Sequence, residues 1–169
     1  ACWRNRLRRN RIEHRASTHS RAAAATATTP RRLPMLDVTY RDTRHRVTEL
    51  VASLDTDELR RSVPATPEWS IHDLLSHLVR GPSDALCGRV EGAPGDAWTA
   101  RHVAERHDAC LDELLAEWDR LGPAIEAGLV GQTFDGPNIA ADLICHEADL
   151  HEALGLARPD RVHWYDPFL

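Results

Sequence analysis

From Leu36 onward the apolar residues recur at steps of three and four, and no stretch alternates strictly between apolar and polar. That period belongs to helices that bury one face. Val38, Val47, Leu50, Val51 and Leu54 predict a first helix over about Leu36–Leu54, with Arg41, Arg44 and Arg46 largely solvated. A linker over Asp55–Trp69 follows, where Pro64 and Pro67 bar a long helix. A second helix opens at Ser70, which with Asp73 resembles a capping box, and Ile71, Leu74, Leu75, Leu78, Ala85 and Leu86 give it an apolar face. Gly81–Pro82 is a point where this helix is interrupted or kinked.

After a loop over Glu91–Trp98, Thr99 suits the N-cap of a third helix reaching Arg120, with Val103, Leu111, Leu114, Leu115 and Trp118 on its apolar side. Gly122–Pro123 is expected to break it, with a short continuation to Leu129. A fourth helix runs over about Asn138–Leu154 and stops at Gly155, a favourable residue just past a helix end. The fold class is therefore all-α, and four helices in a short domain make a bundle the default.

Charge divides the chain. Residues 1–34 hold nine Arg and one acid, Glu13, a balance of +8, whereas residues 35–169 hold twelve Arg and twenty-five acids, a balance of −13. The first segment lacks aliphatic periodicity and cannot bury enough apolar area to offset its ordering entropy, so it reads as a disordered basic extension. A nucleic-acid arm, a transit peptide and a non-native leader ahead of Met35 all suit it; the expectation adopted is that the fold begins at Met35. The acidic remainder has no electrostatic footprint for nucleic acid. No apolar run approaches the roughly 20 residues needed to cross a bilayer. Cys2, Cys87, Cys110 and Cys145 form no CxxC pair, which argues against a cysteine zinc site or disulfide framework and suits a cytoplasmic setting.

The candidate chemistry lies in histidines and acids. At about 100° per residue, Ile139, Leu143, Leu150 and Leu154 share one stripe of the fourth helix; His146 falls inside it and Asp142 and Asp149 lie along one margin. Asp142 and His146, four residues apart, can aim at one ion. A pair satisfying itself, or a surface pair, has the same spacing. Glu147 and His151 repeat it further from the stripe and read as solvated, and Cys145 reads as a bystander. A further ligand must come from another helix, where His77 lies one turn from Leu74 while His72 points elsewhere.

The segment Pro67-Glu68-Trp69-Ser70-Ile71-His72-Asp73-Leu74-Leu75-Ser76-His77-Leu78 resembles the P-x-W-[ST]-[IV]-x-D-L-x-x-H-L signature of mycothiol-dependent maleylpyruvate isomerase-like proteins. Asp142 to Leu150, running on to Ala153-Leu154-Gly155, resembles their E-x-x-x-H-x-x-D-L…A-L-G helix. The resemblance implies a DinB-like four-helix bundle over residues 35–155 that holds one divalent metal, usually zinc, through His77, Asp142 and His146. Asp142 stands where the isomerases carry Glu. Asp149 matches a trailing Asp assigned to orienting a ligand or to helix packing, and Trp69 a packing anchor. Residues 156–169 show no match and read as a short tail, truncated or divergent. The activity implied is S-transfer to, or isomerisation of, a small electrophile with mycothiol or a similar thiol. Three rivals remain at this level: a metal-dependent hydrolase, a non-catalytic metal-binding or interaction bundle, and a role for residues 1–34 as a basic arm that binds nucleic acid.

Overall fold

The computed structural model describes residues 36–131 and 136–158; the Arg-rich segment, Met35 and residues 159–169 lie outside the described residues. Their order is α1 (Leu36–Val51), α2 (Thr56–Leu59), β1 (Ser62–Val63), β2 (Thr66–Ser70), α3 (Ile71–Cys87), α4 (Asp96–Arg106), α5 (Leu111–Gly131) and α6 (Gly136–Ala153). The four long helices make the bundle: α1 and α3 each pack against both α5 and α6, and α4 lies along α3. Val47, Val51, Ile71, Leu74, Leu75, Val79, Leu114, Ile125, Leu143 and Leu150 are withdrawn from water at its centre. Each such side chain stabilises the fold by roughly 1.5–3 kcal/mol before entropy is counted. Trp118 of α5 and Tyr40 of α1 are also buried, and the indole Nε1–H donates to the Tyr40 hydroxyl at 2.9 Å.

Local signals explain several boundaries. The capping box at the head of α3 is present in both directions, Asp73 N–H to Ser70 Oγ and Ser70 N–H to Asp73 Oδ2. Gly155 closes α6 with a positive φ of 70°, its N–H bonding Glu152 O and that of Leu156 bonding His151 O, the six-to-one closure of a Schellman end.

Other expectations are corrected. Both prolines sit inside continuous helices, Pro82 in α3 and Pro123 in α5. An interior proline costs on the order of 3 kcal/mol in isolation, which the packing of α3 and α5 against their neighbouring helices offsets here. The glycine before each proline serves close approach rather than helix breaking. A Cβ on Gly122 would stand 2.8 Å from the Arg44 guanidinium, and one on Gly81 would stand 3.4 Å from the Trp98 ring. The break in the third segment falls instead between Arg106 and Leu111, where Glu113 accepts the Cys110 N–H at 2.9 Å. Thr99 is no cap: α4 has already begun at Asp96. The linker is not featureless either. Asp55 and Glu58 form a capping box around α2, and β1 and β2 pair as a small antiparallel hairpin, which the absence of strand alternation did not suggest. Pro67 is tolerated because each strand of a two-stranded ribbon has an open edge.

The arginines of α1 are not simply solvated. Arg44 is buried between Glu126 (3.7 Å) and Asp119 (3.3 Å), and Arg41 pairs with Glu126 at 2.7 Å. Arg46 grips Glu147 of α6 at 2.6 and 2.9 Å.

Because the Tyr40 hydroxyl is the Trp118 indole's partner in a dry core, Tyr40→Phe should strand that N–H. Chemical denaturation is expected to show a loss of about 1–3 kcal/mol, with the helical circular dichroism of the folded state unchanged.

Candidate metal centre

His77 stands in the second turn of α3, and Asp142 and His146 one turn apart on α6. Packing of α3 on α6 brings the three together. Asp142 lies between the two rings: its Oδ2 is 3.2 Å from His77 Nε2 and its Oδ1 is 3.5 Å from His146 Nε2. One donor atom from each residue lies within 4.8 Å of the others. The His77 side chain is buried, His146 is largely so, and the Asp142 carboxylate is 47% exposed, so the cluster opens to solvent on the α6 side.

The far ring nitrogens are engaged elsewhere. His146 Nδ1 meets Asp149 Oδ2 at 2.8 Å, and His77 Nδ1 meets His102 Nδ1 at 3.1 Å. Trp69 from β2 and Trp98 from α4 flank His77, with ring centroids 5.3 and 6.1 Å away. Behind them Asp84 is fully buried, paired with Arg80 (3.2 Å), Arg89 (2.7 Å) and Arg101 (2.8 Å).

These surroundings set the charges. Burial alone would raise the Asp142 carboxyl, but hydrogen bonds from His146 and His77, with the charge of those rings, outweigh it and hold the group well below the usual carboxylate range. Burial pulls His146 down, yet its contacts with Asp142 and Asp149 outweigh this and raise it above the ordinary histidine value. His102 is lowered to about 3, first by burial and then by the positive charge of His77, Arg101 and Arg80, so it is neutral at neutral pH. Burial, then Asp149 and Asp142, push the exposed Cys145 thiol upward, which leaves it a poor nucleophile.

The structure thus gathers His77, Asp142 and His146, with Asp149 against His146, and leaves other candidates outside. His72 bonds Ala109 O at 2.7 Å and His151 bonds Ala157 O at 2.7 Å. Glu147, expected to be solvated, is buried. The covered arc of α6 runs through Ala140, Leu143, Ile144, Glu147 and Leu150, turned by roughly 50° from the stripe that the large aliphatics alone define. Sequence reasoning missed His102, Asp84 and Trp98. They sit in polar surroundings without a motif, and the one available hint was the one-turn spacing of Trp98 and His102, whose rings stack edge-on at 4.1 Å.

In chelator-stripped protein, the raised His146 contributes stability that is complete below about pH 6.5 and fades as pH rises through its folded value; the lowered Asp142 contributes above about pH 4 and fades on acidification. The melting-temperature gap between wild type and His146→Gln should therefore be widest between those limits and shrink as pH rises above them. A gap that grows with pH would contradict the pairing.

No curated protein and no solved structure matches the chain at a significant level. The model of one family does match, over residues 39–142, more than half of the 169. The matched span includes α3 with His77, α4 with His102, and α6 as far as Asp142. Members of this family often bind a divalent metal. With its helical bundle and that match, the chain belongs to the DinB superfamily.

Proposed function

We propose that His77, Asp142 and His146 hold one divalent metal ion, zinc by preference, and that the protein uses it with a small thiol of the mycothiol kind to act on an electrophilic small molecule by S-transfer or isomerisation. The observation that carries the metal reading is the orientation of four ring nitrogens. Both Nε2 atoms turn toward one carboxylate, while both Nδ1 atoms are committed to partners behind them. That is how histidine ligands are oriented by the groups around them. Two imidazoles and a carboxylate are also a donor set suited to zinc, and three protein ligands are typical of a site that takes an exogenous one.

A bound divalent ion would supply Lewis acidity, favouring the deprotonated form of a coordinated thiol at neutral pH. The chain's own residues do the rest. Asp142, shorter by one methylene than the Glu of the isomerases, still reaches both histidines from its place on α6. Its exposed side is where a small molecule can approach. Asp149 holds the His146 ring with Nε2 turned to the site, and Trp69 and Trp98 pack around the buried His77 ring. Cys145 takes no part. The thiol-dependent activity is inferred from the resemblance of the Trp69–His77 and Asp142–Leu150 segments; the nitrogens and carboxylate by themselves suit a hydrolase as well.

Elemental analysis of the purified full chain should find about one divalent ion per molecule, lost in His77→Ala and in His146→Ala while the helical signal persists. No ion, or an ion indifferent to both changes, would reduce the cluster to a carboxylate bridging two histidines. Adding a small thiol to the cobalt-substituted protein should then produce a thiolate-to-cobalt charge-transfer band. Metal retained with no such band would turn the reading toward hydrolysis or a non-catalytic bundle.

A further inference from the structure

His77 is linked to a second buried carboxylate through another histidine. His77 Nδ1 and His102 Nδ1 are 3.1 Å apart, and His102 Nε2 lies 3.4 Å from Asp84 Oδ2 without forming a hydrogen bond to it or to any other of the described residues. His102 and Asp84 are both fully buried, out of contact with bulk water. Two imidazoles that share an Nδ1···Nδ1 contact need one donor and one acceptor. If His102 Nδ1 carried the proton, the bare Nε2 would lie 3.4 Å from the Asp84 carboxylate, two acceptors in repulsive proximity at a buried site. With the proton on His102 Nε2, that N–H lies beside the Asp84 carboxylate, an attractive contact, and His102 Nδ1 accepts from His77 Nδ1–H. His77 then keeps Nε2 for the Asp142 side, whether a proton or a cation sits there.

We infer that Asp84 and His102 are positioning residues that fix the tautomer and rotation of His77, keeping its Nδ1 protonated and its Nε2 available as a ligand. The arrangement extends the centre from α6 through α3 to α4. Asp84 is itself held by Arg80, Arg89 and Arg101, and Arg101 comes from the same helix as His102. Gly81 makes room for it: a Cβ there would come 3.4 Å from Trp98, 3.7 Å from His102 and 3.9 Å from His77. The claim about ligand strength rests on the metal reading; the claim about tautomers does not.

The two are separated by measuring both. In metal-stripped full-length protein with ¹⁵N-labelled histidine, long-range ¹H–¹⁵N correlation should show His102 as the Nε2–H tautomer with a bare Nδ1. In the zinc-loaded protein a ring proton should reside on His77 Nδ1. Zinc affinity, measured by chelator competition, should fall by roughly 10–100-fold in His102→Phe, which keeps a ring beside Trp98 but offers no acceptor. His102→Gln, whose carbonyl can accept from His77 and whose amide can donate to Asp84, should recover most of that loss. His102 found as the Nδ1–H tautomer, or zinc affinity unchanged in a folded His102→Phe, would overturn the inference. If His102→Phe does not fold, the wild-type tautomers decide. A wild-type chain that binds no zinc yet shows His102 as Nε2–H would refute the metal reading and leave the positioning pair standing.

Discussion

The site depends on one imidazole in contact with both neighbouring helices. His77 projects from α3 with Nε2 against Asp142 of α6 and Nδ1 against His102 of α4. A ring so placed cannot rotate to suit one neighbour without losing the other. The packing of α3 on α6 and on α4 is therefore as much a part of the centre as the donor atoms, since a shift of either helix changes what Nε2 meets.

Charge is distributed through the bundle under the same constraint. Glu147, Arg44 and Asp84 are buried, and each is paired with groups from other helices: Glu147 with Arg46, Arg44 with Asp119 and Glu126, Asp84 with Arg101. Buried pairs of this kind add little net stability, because desolvation consumes most of the attraction, but removing one partner is costly. Their effect is selective: a helix rotated by one residue would leave a charge alone in the core. The stability itself comes from the apolar interior around Trp118 and Tyr40, where the indole and the hydroxyl satisfy each other.

Helix boundaries were legible where the signal is chemical and local. Ser70 with Asp73, and Gly155, act within one turn of themselves, and they function in the fold as their residue types imply. The misreadings share a different cause. Pro82 and Pro123 are breakers in an isolated helix, and the packing that overrides them comes from residues distant in sequence, such as Trp98 against Gly81 and Arg44 against Gly122. Glu147 lies off the stripe that the large aliphatics of α6 define, yet it is buried, because the covered arc includes Ala140 and α1 supplies an arginine to it.

The sequence by itself determined the class of fold and the helices on which the candidate ligands stand, since a 3.6-residue period and capping chemistry are properties of neighbouring residues. It also singled out Asp142 with His146, one turn apart, and, by resemblance, His77. Only the tertiary structure decided that the three meet around one carboxylate, that Asp149 turns one histidine, and that His102 and Asp84 back the other. Those contacts join helices whose relative rotation depends on the packing of the whole core, and no spacing along the chain encodes it.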